Sequence, residues 1–154
     1  MQLEKIIAAK LIKKNQALSI AESCTGGLIS HRLTNIPGSS RYFKLGIIAY
    51  SYESKVKLLK VRRQTLKKFG AVSQQVAMAM AKSVRRIAHT DFGLSITGIA
   101  GPSGATAKKP VGLVYIGLAT KNRAFCRKFI FKGKRLSIKQ QSASQALKLL
   151  RDFI

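Results

Sequence analysis

Short apolar runs that end in glycine- and hydroxyl-rich loops and then give way to helical patterns constrain this chain more than any other feature. Residues 17–23 (ALSIAES) form the first run and lead into Cys24-Thr25-Gly26-Gly27 and a helical pattern broken by Pro37-Gly38. Residues 43–51 (FKLGIIAYS) form the second, rich in the β-branched and aromatic side chains that suit a buried pleated surface. Residues 92–97 form the third and open into a loop of glycine, serine and threonine closed by Pro110. Strand, tight turn and helix in that order call for crossover connections, which make strands of one sheet parallel.

The flanking segments fill in the rest. Leu3, Ile6, Ile7, Leu11 and Ile12 recur at helical spacing, so the chain opens with an amphipathic helix ending near Asn15. Three helical pieces follow the second strand: 52–61, 62–70 closed by Gly70, and 74–90 with Ser73 as its N-cap. Residues 111–120 and 123–133 read as adjacent strands turned at Lys121-Asn122, and an amphipathic helix runs from Arg135 to the end. The expected fold is α/β: a three-layer α/β/α sandwich whose mixed, mostly parallel sheet ends in an antiparallel hairpin. At 154 residues the chain is long enough for one substantial core and too short for two, so 1–154 is expected to be a single domain.

Composition closes off several classes of function. With 46% apolar residues spread along its length, the chain should fold throughout despite a net charge of +24. Cys24, Cys126, His31 and His89 lack metal-ligand spacing, which argues against structural zinc and a disulfide framework. Lys10 interrupts the first apolar stretch and no long uncharged run follows, so neither a signal peptide nor a membrane span is expected and the chain reads as cytoplasmic. The 29 basic residues come as scattered pairs, which suits solvated helix faces; nonspecific nucleic acid binding through the basic surface stays open as the alternative.

In sheets of this kind ligands sit beyond the carboxyl ends of the strands, where three segments converge. The first, Glu22 to Gly27, puts Ser23, Thr25, Gly26 and Gly27 at a helix start, where amides and the helix dipole attract an anion or where the hydroxyls only cap the helix. No Gly-Lys-Ser/Thr follows, so it is not a P-loop. The second offers Ser39 and Ser40 after a Pro-Gly turn, then Tyr50 and Lys55; a partly desolvated lysine beside a tyrosine can serve as base toward a serine. A Ser-His-Asp triad is disfavoured, because His31 and His89 suit structural positions and Asp91 and Asp152 are the only aspartates. Glu22 and Glu53 bring two of the five acids to this region, either to orient Lys55 and accept ligand hydroxyls or to balance local charge. The third segment supplies Thr97, Gly98, Gly101, Ser103 and Thr106 in a loop longer than most connections. Cys24 reads as a buried small hydrophobe.

Four motifs, AESCTGG (21–27), PGSSRYFKLGIIAYSYESK (37–55), GAVSQQVA (70–77) and TGIAGPSGATAKKPVG (97–112), together resemble the CinA C-terminal family, the nicotinamide-nucleotide amidohydrolases, over nearly the whole chain. The resemblance implies an α/β/α domain that hydrolyses the carboxamide of nicotinamide mononucleotide to nicotinate mononucleotide and ammonia without a cofactor or metal. It also implies a standalone domain, lacking the amino-terminal molybdopterin-binding-like domain of longer members. Carried over by position, it makes Ser23, Ser40, Tyr50 and Lys55 catalytic, with either serine as the nucleophile. Glu22, Thr25, Gly26, Gly27, Glu53, Thr97, Gly98 and Gly101 become substrate-binding candidates, and amides near Gly26-Gly27 would hold an oxyanion or phosphate. Tyr52, Ser54 and Ala105 depart from the residues usual in the family. The expected partners are a small nucleotide substrate and further copies of the chain in a homo-oligomer, with no membrane.

Overall fold

A computed structural model describes residues 2–154. The helical stripe at the start of the chain forms α1 (Gln2–Lys13), which buries Ile7, Ala8 and Leu11. There follow β1 (Leu18–Glu22), α2 (Leu28–Thr34), a 3-10 turn over Ser39–Arg41, β2 (Phe43–Ile48), α3 (Tyr52–Leu59), α4 (Arg63–Phe69) and α5 (Gln74–Ala88). The chain closes with β3 (Phe92–Gly98), β4 (Leu113–Ala119), β5 (Ala124–Ile130) and α6 (Arg135–Phe153). The expected elements are present, with ends drawn in by a residue or more where Gly70, His89 and the turn residues stop them.

The five strands pair in the order β2-β1-β3-β4-β5. β1 is parallel to β2 and β3, whereas β4 is antiparallel to both β3 and β5, so four strands run one way and β4 alone opposes them. Antiparallel pairing thus begins at β3–β4, and the glycine-rich loop after β3 returns the chain directly without a crossover helix. Glu22 sits opposite both Ile48 and Ile96 in register. That register sets the ends of β1, β2 and β3 level and brings Ser23, Ala49 and Thr97 to one edge.

Helices α1, α2 and α6 cover one face, and α3, α4 and α5 cover the other. Alternation along β1 and β3 sends Leu18, Ile20, Leu94 and Ile96 into the larger core under α6. The opposite face carries small residues, which let α5 lie directly on the sheet. Ser95 donates its hydroxyl to the Ala77 carbonyl of α5 at 2.6 Å. A side chain at Gly117 would meet Ser95 Oγ at 2.6 Å and the Ala77 carbonyl at 2.7 Å, so only glycine fits there. No helix among the described residues is long and apolar enough to cross a membrane.

Candidate active site

The last residue of β1 and the first beyond it point to opposite faces, and this divides their roles. Glu22 turns toward α2 and is fully buried. Its Oε2 accepts from Thr25 Oγ1 at 2.6 Å, Gly27 N at 3.0 Å and Ile29 N at 3.2 Å, and its Oε1 accepts from Ser30 N at 2.8 Å and Ser30 Oγ at 2.7 Å. The carboxylate therefore satisfies the orphan amides of α2 and neutralises the positive end of its dipole. Gly26 N is committed as well, donating to the Ser23 carbonyl at 3.0 Å. The expectation that Gly26-Gly27 amides bind an external oxyanion or phosphate is corrected on this point: the anion there is the protein's own Glu22. Thr25, Gly26 and Gly27 line a separate depression against α6.

Ser23 faces the other way, its backbone amide tied to the Ile96 carbonyl at 3.1 Å. Lys55 comes to it from the first turns of α3, whose start is fixed by a reciprocal capping box between Ser51 and Ser54. Lys55 Nζ lies 2.9 Å from Ser23 Oγ and donates to the Ala49 carbonyl at 2.6 Å, with only 1% of the residue exposed. Burial pushes this ammonium down to about 8 from its ordinary value. Once neutral, the amine keeps its bond to Ala49 and presents a lone pair to the serine hydroxyl.

A cavity of about 260 Å³ opens onto this pair, lined also by Tyr50, Thr97, Gly98, Gly101 and Arg135. Thr97 donates its hydroxyl to the Ala71 carbonyl at 2.9 Å and so ties β3 to the segment before α5. Arg135, the first residue of α6, donates from Nη2 to Tyr50 Oη at 2.8 Å and from Nη1 to the Gly101 carbonyl at 2.6 Å. It clasps the two rims of the cavity and is a second cation beside Lys55. Arg135 was missed in the sequence because it ends the basic run Lys132 to Arg135 and is 85 residues from Tyr50. Cys24 also lines the cavity, but burial pushes its thiol up to about 12, which keeps it protonated and a poor nucleophile.

Two candidates lie elsewhere in the chain. Ser40 is exposed in the turn that precedes β2, whereas the cavity lies beyond that strand's far end. A strand of six residues spans roughly 20 Å, so within one chain Ser40 does not reach the cavity it was expected to share. Glu53 is exposed on α3, where its Oε1 accepts from Arg63 at 3.0 Å; it neither touches Lys55 nor lines the cavity. Among the described residues no group of His, Cys, Asp or Glu converges as a metal-ligand set.

The fold and the site define a three-layer α/β domain with a buried serine–lysine pair at the carboxyl edge of its sheet. The family described as the CinA C-terminal domain matches residues 1–154, and the chain belongs to that family. A competence-damage inducible protein of Caldicellulosiruptor saccharolyticus is 51% identical over 152 residues, covering 99% of this chain and 37% of that protein. Its counterpart in Moorella thermoacetica is 51% identical over 148 residues, covering 96% of this chain and 36% of its own length. The chain thus spans little more than a third of these relatives. Among solved structures, the competence/damage inducible protein CihA of Agrobacterium tumefaciens superposes with a TM-score of 0.93 at 35% identity, covering 97% of this chain and 94% of its own. A competence or damage-inducible protein of Enterobacter asburiae superposes with a TM-score of 0.95 at 32% identity, covering 98% and 95%.

Proposed function

We propose that this domain hydrolyses the carboxamide of nicotinamide mononucleotide, giving nicotinate mononucleotide and ammonia, with Ser23 as nucleophile and Lys55 as its base. The observation that carries the reading is the 2.9 Å contact between Ser23 Oγ and a buried lysine that joins no ion pair found among the described residues. Neutral Lys55 takes the hydroxyl proton as Oγ attacks the carboxamide carbon. The ammonium so formed returns the proton to the departing nitrogen, which leaves as ammonia, and an ester remains on Ser23. Water then attacks that ester, one of its protons passing through Lys55 to Ser23 as the carboxylic acid departs, and the acid releases its remaining proton to solvent. With the Gly26 and Gly27 amides committed to other acceptors, Arg135 is the cavity's fixed positive group for the substrate phosphate or for charge developing on the carboxamide oxygen. Tyr50 holds that guanidinium in place.

The test is ammonia release from nicotinamide mononucleotide by purified protein. Lys55→Ala and Ser23→Ala should each lower kcat by about a thousandfold or more. In the unaltered protein kcat/KM should climb with pH and level off above about 8, as Lys55 loses its proton. A folded Lys55→Ala variant with near-normal turnover, or a folded parent protein that releases no ammonia, overturns the reading.

A further inference from the structure

The edge of the sheet farthest from Ser23 carries a second groove. Gly93 pairs with Ala119 while Gly98 pairs with Val114, so the β4–β5 turn lies at the opposite end of β3 from the active-site cavity. That turn and the last turns of α5 enclose an open groove of about 640 Å³ lined by Lys82, Arg85, Arg86, Lys121, Asn122 and Arg123. Five of the eight residues that line it, which also include Thr120 and Ala124, are cations, and none of the eight is a carboxylate.

Two ordinary explanations account for part of this and leave the rest. Arg85 and Arg86 sit in the last turn of α5, where a cation complements the helix dipole. That does not explain Lys121 and Arg123, which approach from a different element. Local ion pairing does not explain it either, since none of the five joins any ion pair found among the described residues. Arg85 and Arg86 reach only backbone carbonyls, those of Asp91 and Lys82, and Arg123 packs its guanidinium over the Phe153 ring at 5.1 Å. The turn that presents Lys121 and Arg123 is held by reciprocal bonds between Thr120 and Arg123, so the convergence is built into the backbone. The face continues along β5, where Lys128 follows Ala124 and Cys126 on the same side of the strand and is exposed.

Like charges fixed across an open groove repel one another until an anion fills it. The cations come from two separate elements and no aromatic ring lines the groove for base stacking, so what it complements is the repeated charge of a phosphate backbone rather than a base. We infer that the groove between α5 and the β4–β5 turn binds the phosphodiester backbone of a nucleic acid, independently of base sequence. Lys82, Arg86 and Lys121 contact phosphates, Arg85 and Arg123 frame the trough, and Asn122 supplies a neutral donor. The site is separate from the Ser23–Lys55 cavity and does not depend on the reaction assigned to it.

Fluorescence anisotropy of a labelled duplex oligonucleotide of arbitrary sequence, titrated with the full chain over a salt series, tests this. The triple variant Lys82→Gln/Arg86→Gln/Lys121→Gln should bind about tenfold or more weakly at 0.1 M salt, with the slope of log affinity against log salt reduced by about 3. The matched control Lys13→Gln/Lys14→Gln/Lys148→Gln removes the same charge from the end of α1, the residue that follows it and α6, on the opposite layer, and should lose less than about threefold. The charge-preserving triple Lys82→Arg/Arg86→Lys/Lys121→Arg should retain binding, which separates loss of contact from loss of fold. Ammonia release should be unchanged in all three. Equal losses in the groove and control triples would assign the binding to bulk charge and overturn the site. Preferential groove-dependent binding of anionic lipid vesicles with none of the duplex would overturn the nucleic acid.

Discussion

A lysine ammonium with 1% of its surface exposed destabilises the fold for as long as it stays charged. Lys55 titrates near 8 in the folded chain, and an unfolded lysine titrates near 10.4, a gap that corresponds to about 3 kcal/mol. Below 8 both states carry the proton and the penalty is complete. Between the two values only the unfolded chain still binds it, so stability rises with pH across that window. Lys55→Met removes the charge but leaves the Ala49 carbonyl without its donor, which costs about 1 kcal/mol. The variant should therefore be inactive yet more stable than its parent by about 1–2 kcal/mol at pH 7, with the advantage fading toward pH 10. Thermal melts across that pH range check this, and a lower melting temperature for the variant at pH 7 contradicts it. Glu22 should behave in the opposite way. It holds three backbone amides and two hydroxyls at the start of α2, so Glu22→Ala should lose about 3 kcal/mol or more in denaturant unfolding. A neutral result would mean that water replaces the carboxylate without loss.

At the scale of elements, the close seat of α5 on the sheet positions Thr97 and the segment that Thr97 holds. Gly117→Ala forces a methyl group against Ser95 and the α5 backbone, and should destabilise the domain by about 1–3 kcal/mol. Urea unfolding measures this, and an unchanged midpoint would show that α5 can lift away freely. Helix α1 could be read from the chain because it buries one face, so the spacing of Leu3 to Ile12 reports its partner, whereas residues 92–97, buried on both faces, read as a strand because a short apolar run ends there in a glycine-rich loop. The convergence of Ser23, Tyr50 and Lys55 on one cavity was legible because all three follow strand ends that a parallel arrangement sets level, but the Tyr50 hydroxyl meets Arg135 and not the lysine it was expected to assist. Three features were not. The helix start at Gly26-Gly27 looks open to an external anion until β1 turns Glu22 into it, a consequence of side-chain alternation at one residue. Ser40 lies close to Tyr50 in sequence, yet an intervening strand carries it to the other edge. Arg135 joins the site only through the return of α6 across the sheet.

For the molecule as a whole, the acids are already spent. Glu22 plugs α2, Glu4 pairs with Arg32, Glu53 with Arg63, Asp152 with Arg151, and Asp91 accepts the Ala17 amide. Each satisfies a local partner, and the net charge of +24 over 154 residues remains without long-range balance. Repulsion among exposed lysines and arginines opposes the compact state, and it is screened over about 10 Å at 0.1 M salt. Raising sodium chloride from about 20 to 300 mM should thus raise the melting temperature by several degrees, and sulfate should act more strongly at equal ionic strength because it also strengthens apolar burial. The Lys82→Gln/Arg86→Gln/Lys121→Gln variant gives the sharper reading. If the groove concentrates the repulsion, this variant should start from a higher melting temperature at low salt and gain less from added salt than the Lys13→Gln/Lys14→Gln/Lys148→Gln control, although both lose the same charge. Identical salt responses in the two would mean that the repulsion is spread evenly over the surface.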